Sequence, residues 1–336
     1  MKCFSTNTLP MFVVLIFVTI LQLMNFSSAD SRQAFLSIEY YHKTCPQLEG
    51  IIQNKVSAMI NKDYTMAPSL LRLHFHDCAV RGCDGSVLLN HKGSERSAAA
   101  SKTLRGFEAI QEIKAEVEKH CPKTVSCADI LTAAARDATV GMGGPFWEVP
   151  FGRKDGRVSI AQEADRLVPM GRENITTLVQ FYQARGLTLL DLVILSGDSL
   201  SSLRAHTIGR SSCGSLQFRL YNFNGTRKPD PSIDVKYLNY LKRKCRWGSE
   251  LVDLDATTPR RFDAAYYTNL QKKMGLLYTD QALYSDPRTE PLVTAMATQP
   301  SLFFQQFSVS MVKLGNVQVL TGKREGEIRR NCNFVN

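Results

Sequence analysis

The sequence predicts an all-α fold with little β structure, set behind an N-terminal leader. Three observations point there. Apolar residues recur at helical spacing through most of the chain, helix-starting residues precede two of these runs, and the one segment that reads as extended, 146–150, is short.

The leader comes first. Lys2 precedes an apolar run at 11–20, continued by Leu21, Leu23 and Met24, with Ser27, Ser28 and Ala29 behind it. A basic start, an apolar stretch too short to span a bilayer comfortably and small residues at its end describe a secretory signal over 1–29. An uncleaved anchor is the alternative. No other segment is long and apolar enough to cross a membrane, so a soluble mature chain over 30–336, with no membrane partner, is expected.

Within it, 47–61 places Leu48, Ile51, Ile52, Val56, Met59 and Ile60 at helical spacing. Pro68 opens a second helix, where its missing amide donor costs nothing, and that helix runs to Cys78. The stretch 104–120 turns Phe107, Ile110, Ile113 and Val117 inward. Ser126 caps a helix to Gly141, with Asp129 at the third position completing a capping-box-like start. Gly143, Gly144 and Pro145 break the chain. Further helices are predicted at 175–185, 189–195, 213–221, 233–244, 261–273 and 302–314. The Pro- and Gly-rich loops over 143–171 read as a seam between two lobes of a single domain. With 336 residues and 44% hydrophobic content the chain can bury a large core, and 21% charged residues argue against disorder.

Nine cysteines less Cys3 in the leader leave eight, at 45, 78, 83, 121, 127, 213, 245 and 332. An even number in an exported chain reads as a disulfide framework whose pairing the sequence alone leaves open. A metal cluster is disfavoured because no Cys-x-x-Cys pair occurs. Asn174 and Asn224 open glycosylation sequons and need surface positions; the Asn25 sequon falls inside the leader. The formal charge is +10, or +9 once Lys2 is lost. Export excludes nucleic acid. The Lys and Arg residues read as scattered along the chain, so a basic solvated surface explains the surplus, with an anionic polysaccharide as the functional alternative.

Chemistry concentrates at Arg72 and His76. Four residues apart on a helix, they project from one face. A neutral imidazole beside a fixed guanidinium suits heterolysis of an O–O bond: the imidazole moves the proton, and the arginine stabilises the charge that develops. Phe75 on the adjoining edge is placed to wall the cavity. His74, two positions from His76, faces elsewhere as a core histidine. A metal hydrolase built on His74, His76 and Asp77 therefore fails on geometry. Asp77, Asp84 and Ser86, with Gly82 and Gly85 between them, crowd hard oxygens around a tight turn, which fits Ca²⁺. Far downstream, His206 precedes Gly209 by three residues, and Asp255, Thr258 and Asp263 form a second oxygen-rich loop.

From about Tyr40 to Phe334 the chain resembles the secretory plant peroxidases of class III. The segments that carry the resemblance are LLRLHFHDC, GCDGS, LRGF, VSCADI, GRKDGR, HTIGR, YNF, FDAAYY, GLLYTDQAL and the eight cysteines, all in the right order. The resemblance implies a haem peroxidase fold, with haem b between a distal and a proximal helical lobe. It implies that His76 is the distal acid–base and Arg72 the transition-state stabiliser. His206 would be the axial haem ligand, and Asp280 would accept its other ring N–H, making the imidazole a stronger donor to iron. It further implies two Ca²⁺ ions. Asp77, Asp84, Ser86 and the carbonyls of Val80 and Gly82 would hold the distal one. Thr207, Asp255, Thr258, Asp263 and the carbonyl of Arg261 would hold the proximal one. Pro169 matches the position whose carbonyl meets aromatic reductants, and Asp129 with Arg153 a buried structural ion pair. The implied disulfides are Cys45–Cys121, Cys78–Cys83, Cys127–Cys332 and Cys213–Cys245. The implied reaction is reduction of hydrogen peroxide with one-electron oxidation of phenolic donors. The implied setting is a secreted monomer in the cell wall or apoplast, with the vacuole as an alternative.

Two departures stand out. The family's asparagine, which accepts a hydrogen bond from the distal histidine, is missing from Glu95-Arg-Ser-Ala-Ala-Ala-Ser101, a stretch one residue short; the Ser101 hydroxyl is the remaining acceptor. Seven residues, 198–204, also intervene between Gly197 and Ala205. As added helix they would carry His206 about 10 Å along the axis, so the insert is expected to loop outward; a mis-joined exon boundary is the alternative. The insert also supports a competing function, a catalytically impaired peroxidase-fold protein that binds wall polysaccharide.

Overall fold

The structure, a computed structural model, describes residues 36–196, 207–322 and 324–336. The leader, the insert 198–204 and His206 lie outside them. Among the described residues there are thirteen α-helices and one two-stranded antiparallel sheet of three residues per strand. None of these helices is long and apolar enough to cross a membrane.

The distal side is built on α1 (Leu48–Lys62), α2 (Met66–Ala79), α3 (Phe107–His120) and α4 (Cys127–Gly141). Helix α2 is buried on every side from Ala67 to Ala79 and packs chiefly on α4, whose own buried face is unbroken from Cys127 to Thr139. Pro68 is the third residue of α2 rather than its first; it still falls in the opening turn, where no intrahelical bond is lost. Ser126 Oγ accepts from Asp129 N at 3.1 Å. The reciprocal half of the capping box is absent, because the Asp129 carboxylate is taken by Tyr41, Gly152 and Arg153.

Next follow α5 (Ala161–Leu167), α6 (Ile175–Gln183) and α7 (Leu189–Ser196). Strand β1 (Arg210–Ser212) leads into α8 (Cys213–Tyr221), then α9 (Val235–Lys244) and β2 (Leu251–Asp253), which pairs back on β1. The chain closes with α10 (Ala265–Gln271), α11 (Tyr278–Ser285), α12 (Glu290–Thr298) and α13 (Pro300–Gly315). Helix α10 is shorter than the predicted 261–273: residues 261–264 belong to a loop, and Lys273 adopts a left-handed φ of 58°. Helices α5, α11 and α12 and both strands were not predicted, and 146–150 forms no strand.

Apolar packing falls into two clusters. The larger joins α1–α4, α7, α10 and α13, and includes Trp147, Val149 and Phe151 from the 143–171 segment. The smaller gathers Cys213, Leu216, Leu220, Tyr237, Leu241, Val252, Leu276 and Leu277. Four disulfides join Cys45–Cys121, Cys78–Cys83, Cys127–Cys332 and Cys213–Cys245. Asn174 and Asn224 are both exposed, as glycan acceptors must be.

Candidate active site

Arg72 and His76 meet one turn apart on α2, both buried. Arg72 Nε–H donates to His76 Nε2 at 3.3 Å. The guanidinium is fixed further by Nη1 donating to Thr103 Oγ1 at 3.0 Å and Nη2 donating to the Ala100 carbonyl at 3.2 Å. An arginine can only donate, so His76 Nε2 is an acceptor and the ring proton sits on Nδ1. Burial first, and then the Arg72 charge, hold His76 well below the usual imidazole range. The pair is therefore a neutral base beside a permanent cation. Phe75 packs edge-on to His76, with ring centroids 6.3 Å apart, and against Phe181. His74 turns away and lies 3.7 Å from Cys78 Sγ, in the core. Burial and Arg153 push its pKa down to about 3.

His76 Nδ1 has no hydrogen-bond partner among the described residues, and neither has Ser101 Oγ, although both are buried. Ser101 thus does not replace the absent asparagine, because its hydroxyl does not reach the ring. Introducing asparagine at Ala100 or at Ser101 is expected to speed the reaction with peroxide about fivefold, the equivalent of one ~1 kcal/mol hydrogen bond. Stopped-flow rates that rise with neither variant would show that the ring is held well enough without that acceptor.

The turn after α2 brings the predicted oxygens together. Asp77 Oδ2 accepts from Gly85 N and Asp84 Oδ1 from Ser86 N, at 2.8 and 2.9 Å. Gly82 and Gly85 take the positive φ this turn requires, 92° and 68°. Both carboxyls are pushed up, first of all by burial, Asp84 to about 6. Glu95, which the sequence does not single out, joins them and is raised to about 8 by burial. Ser86 Oγ lies near Asp84 and Glu95 without a well-directed hydrogen bond. Two buried carboxylates with no ion-pair partner and a spare hydroxyl fit a hard cation. Among the described residues no three His, Cys, Asp or Glu side chains are arranged to hold a metal ion by themselves, so such a site would need carbonyl and hydroxyl oxygens.

The second oxygen-rich set is also assembled. Thr207 Oγ1 donates to the Asp263 carbonyl at 2.6 Å, and Thr258 Oγ1 to Asp263 Oδ1 at 2.9 Å. Asp255 Oδ1 accepts from the amides of Thr257 and Thr258 and from Asn269. The Arg261 amide donates to the Thr258 carbonyl, closing the loop. Asp280 is buried in the first turn of α11. Its Oδ2 accepts from Leu277 N at 2.7 Å and its Oδ1 from the Tyr266 hydroxyl at 3.2 Å. Pro169 is buried between α5 and α6, beside exposed Met170. The Arg153–Asp129 pair is fully buried at 2.8 Å.

The family model described as Peroxidase matches residues 52–299. Peroxidase 7 of Arabidopsis thaliana is 56% identical over 303 residues, covering 90% of this chain and 84% of that protein. Peroxidase 30 of the same plant is 44% identical, covering 91% and 92%. Peroxidase 1 of Oryza sativa subsp. japonica is 43% identical, covering 91% and 94%.

The chain belongs to the plant peroxidase family. It is a secreted haem peroxidase that reduces hydrogen peroxide at the expense of a reductant, and the impaired-binder alternative is not favoured. The peroxidase's described residues fit that cofactor. A neutral imidazole and a guanidinium can move a proton and hold charge, but neither accepts electrons, so the redox capacity must come from a bound group. Sequence reasoning missed Thr103, the Ala100 carbonyl and Tyr266. Each acts across a long sequence separation, and only their place in the fold reveals them.

Proposed function

We propose that this peroxidase works through His76 and Arg72, which would act on the peroxide, and through His206, backed by Asp280, which would hold the haem. The observation that carries the reading is the buried 3.3 Å contact between a neutral imidazole and a fixed guanidinium. Haem would supply the capacity to give two electrons to peroxide and to recover them one at a time from the reductant. His76 Nε2 takes the proton from one peroxide oxygen and delivers it to the other, which leaves as water. Arg72 holds the negative charge that builds as the O–O bond breaks. Phe75 excludes water from one side. Phenols are the proposed reductants, meeting the protein at the Pro169 carbonyl and each losing one electron and one proton. Purified protein loaded with haem should show a Soret band and consume two phenols per peroxide; any other stoichiometry would overturn the reading.

Residues 30–336 are proposed to form one two-lobed domain acting as a monomer outside the cell, in the wall or apoplast. Two Ca²⁺ ions are proposed, one at Asp77, Val80, Gly82, Asp84 and Ser86, the other at Thr207, Asp255, Thr258, Arg261 and Asp263. The buried, raised carboxyls and the spare Ser86 hydroxyl support the first. A cation bound only to the folded state stabilises it by mass action. Chelation is therefore expected to lower the melting temperature by roughly 5 °C or more, reversibly on adding Ca²⁺. A melting curve indifferent to chelator and to added Ca²⁺ would remove the ions from the account.

A further inference from the structure

The positive surplus, which reads as scattered along the sequence, is uneven. Residues 210–273 hold 13 Lys and Arg against 6 Asp and Glu, a surplus of seven in a chain whose total is +10. On α9, Lys236, Tyr240, Arg243 and Lys244 lie four, seven and eight residues along and so share one exposed face. Arg246 and Trp247 continue it just past the helix. No acid interrupts 235–249, and among the described residues none of these cations has an ion-pair partner. Helix stability does not explain the pattern. The basic last turn suits the helix dipole, but Lys236 in the first turn opposes it.

Aromatic rings stand among the cations. Trp247 is 72% exposed, Tyr240 45% and Tyr221 43%. Tyr240 is stacked on buried Tyr237, with centroids 6.1 Å apart and planes within 13°, so its ring is oriented before anything binds. Lys242 sits over the Tyr221 ring at 5.2 Å. Beside this stripe a cleft of about 380 Å³ is lined by Lys236, Tyr237, Tyr240, Ala256, Met274 and Asp234. Flat apolar ring faces next to unpaired cations match a ligand with both apolar C–H faces and carboxylates.

We propose that the α9 face binds a polyuronate, an extracellular polysaccharide with a carboxylate on each sugar. One sugar would stack on Tyr240 in the cleft, and its neighbours would run along Arg243, Lys244 and Arg246 to Trp247. The assignment is independent of the haem chemistry.

Polygalacturonate binding to the full secreted protein, measured by calorimetry, tests it. Reversing Lys236, Arg243 and Lys244 together to Glu is expected to weaken binding roughly tenfold or more. Tyr240→Ala with Trp247→Ala should weaken it severalfold, and peroxide turnover should persist in both variants as the control for folding. Reversing Lys43, Lys62 and Lys119, exposed cations elsewhere, should change little. Equal weakening by both charge reversals would reduce the effect to net charge and overturn the proposal. So would equal affinity for fully methyl-esterified polymer, or tighter binding to phosphatidylserine vesicles than to polygalacturonate.

Discussion

Leucine in place of His76 is expected to slow the reaction with peroxide by about 10²–10⁴-fold while the protein still takes up haem. Arg72→Leu is expected to cost about 10²–10³-fold, the size of effect seen when one fixed donor to a developing charge is lost. The two losses differ in kind. In the proposed mechanism His76 carries the proton, and no other described histidine is placed to do so: His74 faces the Cys78–Cys83 disulfide, and His42, His91 and His120 are exposed. In the same mechanism Arg72 holds charge, and it also sets the base, because its guanidinium is one of the two causes that keep His76 neutral. A lowered imidazole pKa leaves the base active at neutral pH, with activity lost only as pH falls through that pKa. Removing the Arg72 charge raises the His76 pKa, so the acid limb of the rate profile should move to higher pH in Arg72→Leu. Stopped-flow rates across pH check both statements. A His76→Leu protein that keeps its rate would place the proton transfer elsewhere, and an unmoved acid limb in Arg72→Leu would remove the coupling.

The meeting of Arg72 and His76 was legible in the sequence because its signal is local. Arg72 and His76 are four residues apart, and helical periodicity alone puts them on one face of α2. The oxygens of Asp77, Asp84 and Ser86 fall within ten residues of each other, so a turn with two left-handed glycines is enough to gather them. What was not legible depends on distance along the chain. Arg72 is fixed by Ala100 and Thr103, 28 and 31 residues away. Asp280 is hydrogen-bonded by Tyr266 from a different helix. Short elements were missed for a related reason. Strands of three residues such as β1 and β2 are too brief to display an alternation, and α11 and α12, of eight and nine residues, span little more than two turns of any apolar pattern. The 261–264 segment was read as helix because its apolar and polar residues happen to fit. Its Asp263 side chain instead accepts from the Thr258 hydroxyl and holds a loop.

Arg219→Ala is expected to destabilise the fold by about 3–5 kcal/mol, because it leaves a buried charge without its partner. Arg219 lies in the last turn of α8 and is fully buried. Its Nε donates to Asp230 Oδ2 at 2.7 Å, and Nη1 donates to the carbonyls of Gly275 and Leu276 at 2.7 and 2.8 Å. One side chain thus ties together α8, the turn at 230–232 and the turn that leads into α11. That last turn ends at Leu277, whose amide donates to Asp280. The alanine variant strands the Asp230 carboxylate and two carbonyls in the smaller apolar cluster, and it frees the segment that carries Asp280. Arg219→Ala combined with Asp230→Asn removes the uncompensated charge but not the unpaired carbonyls, so it should recover only part of the loss. Denaturant unfolding of the two variants measures the split. A single variant within about 1 kcal/mol of the parent would mean that water reaches Asp230 and the carbonyls, and that the turn before Asp280 is held by packing alone.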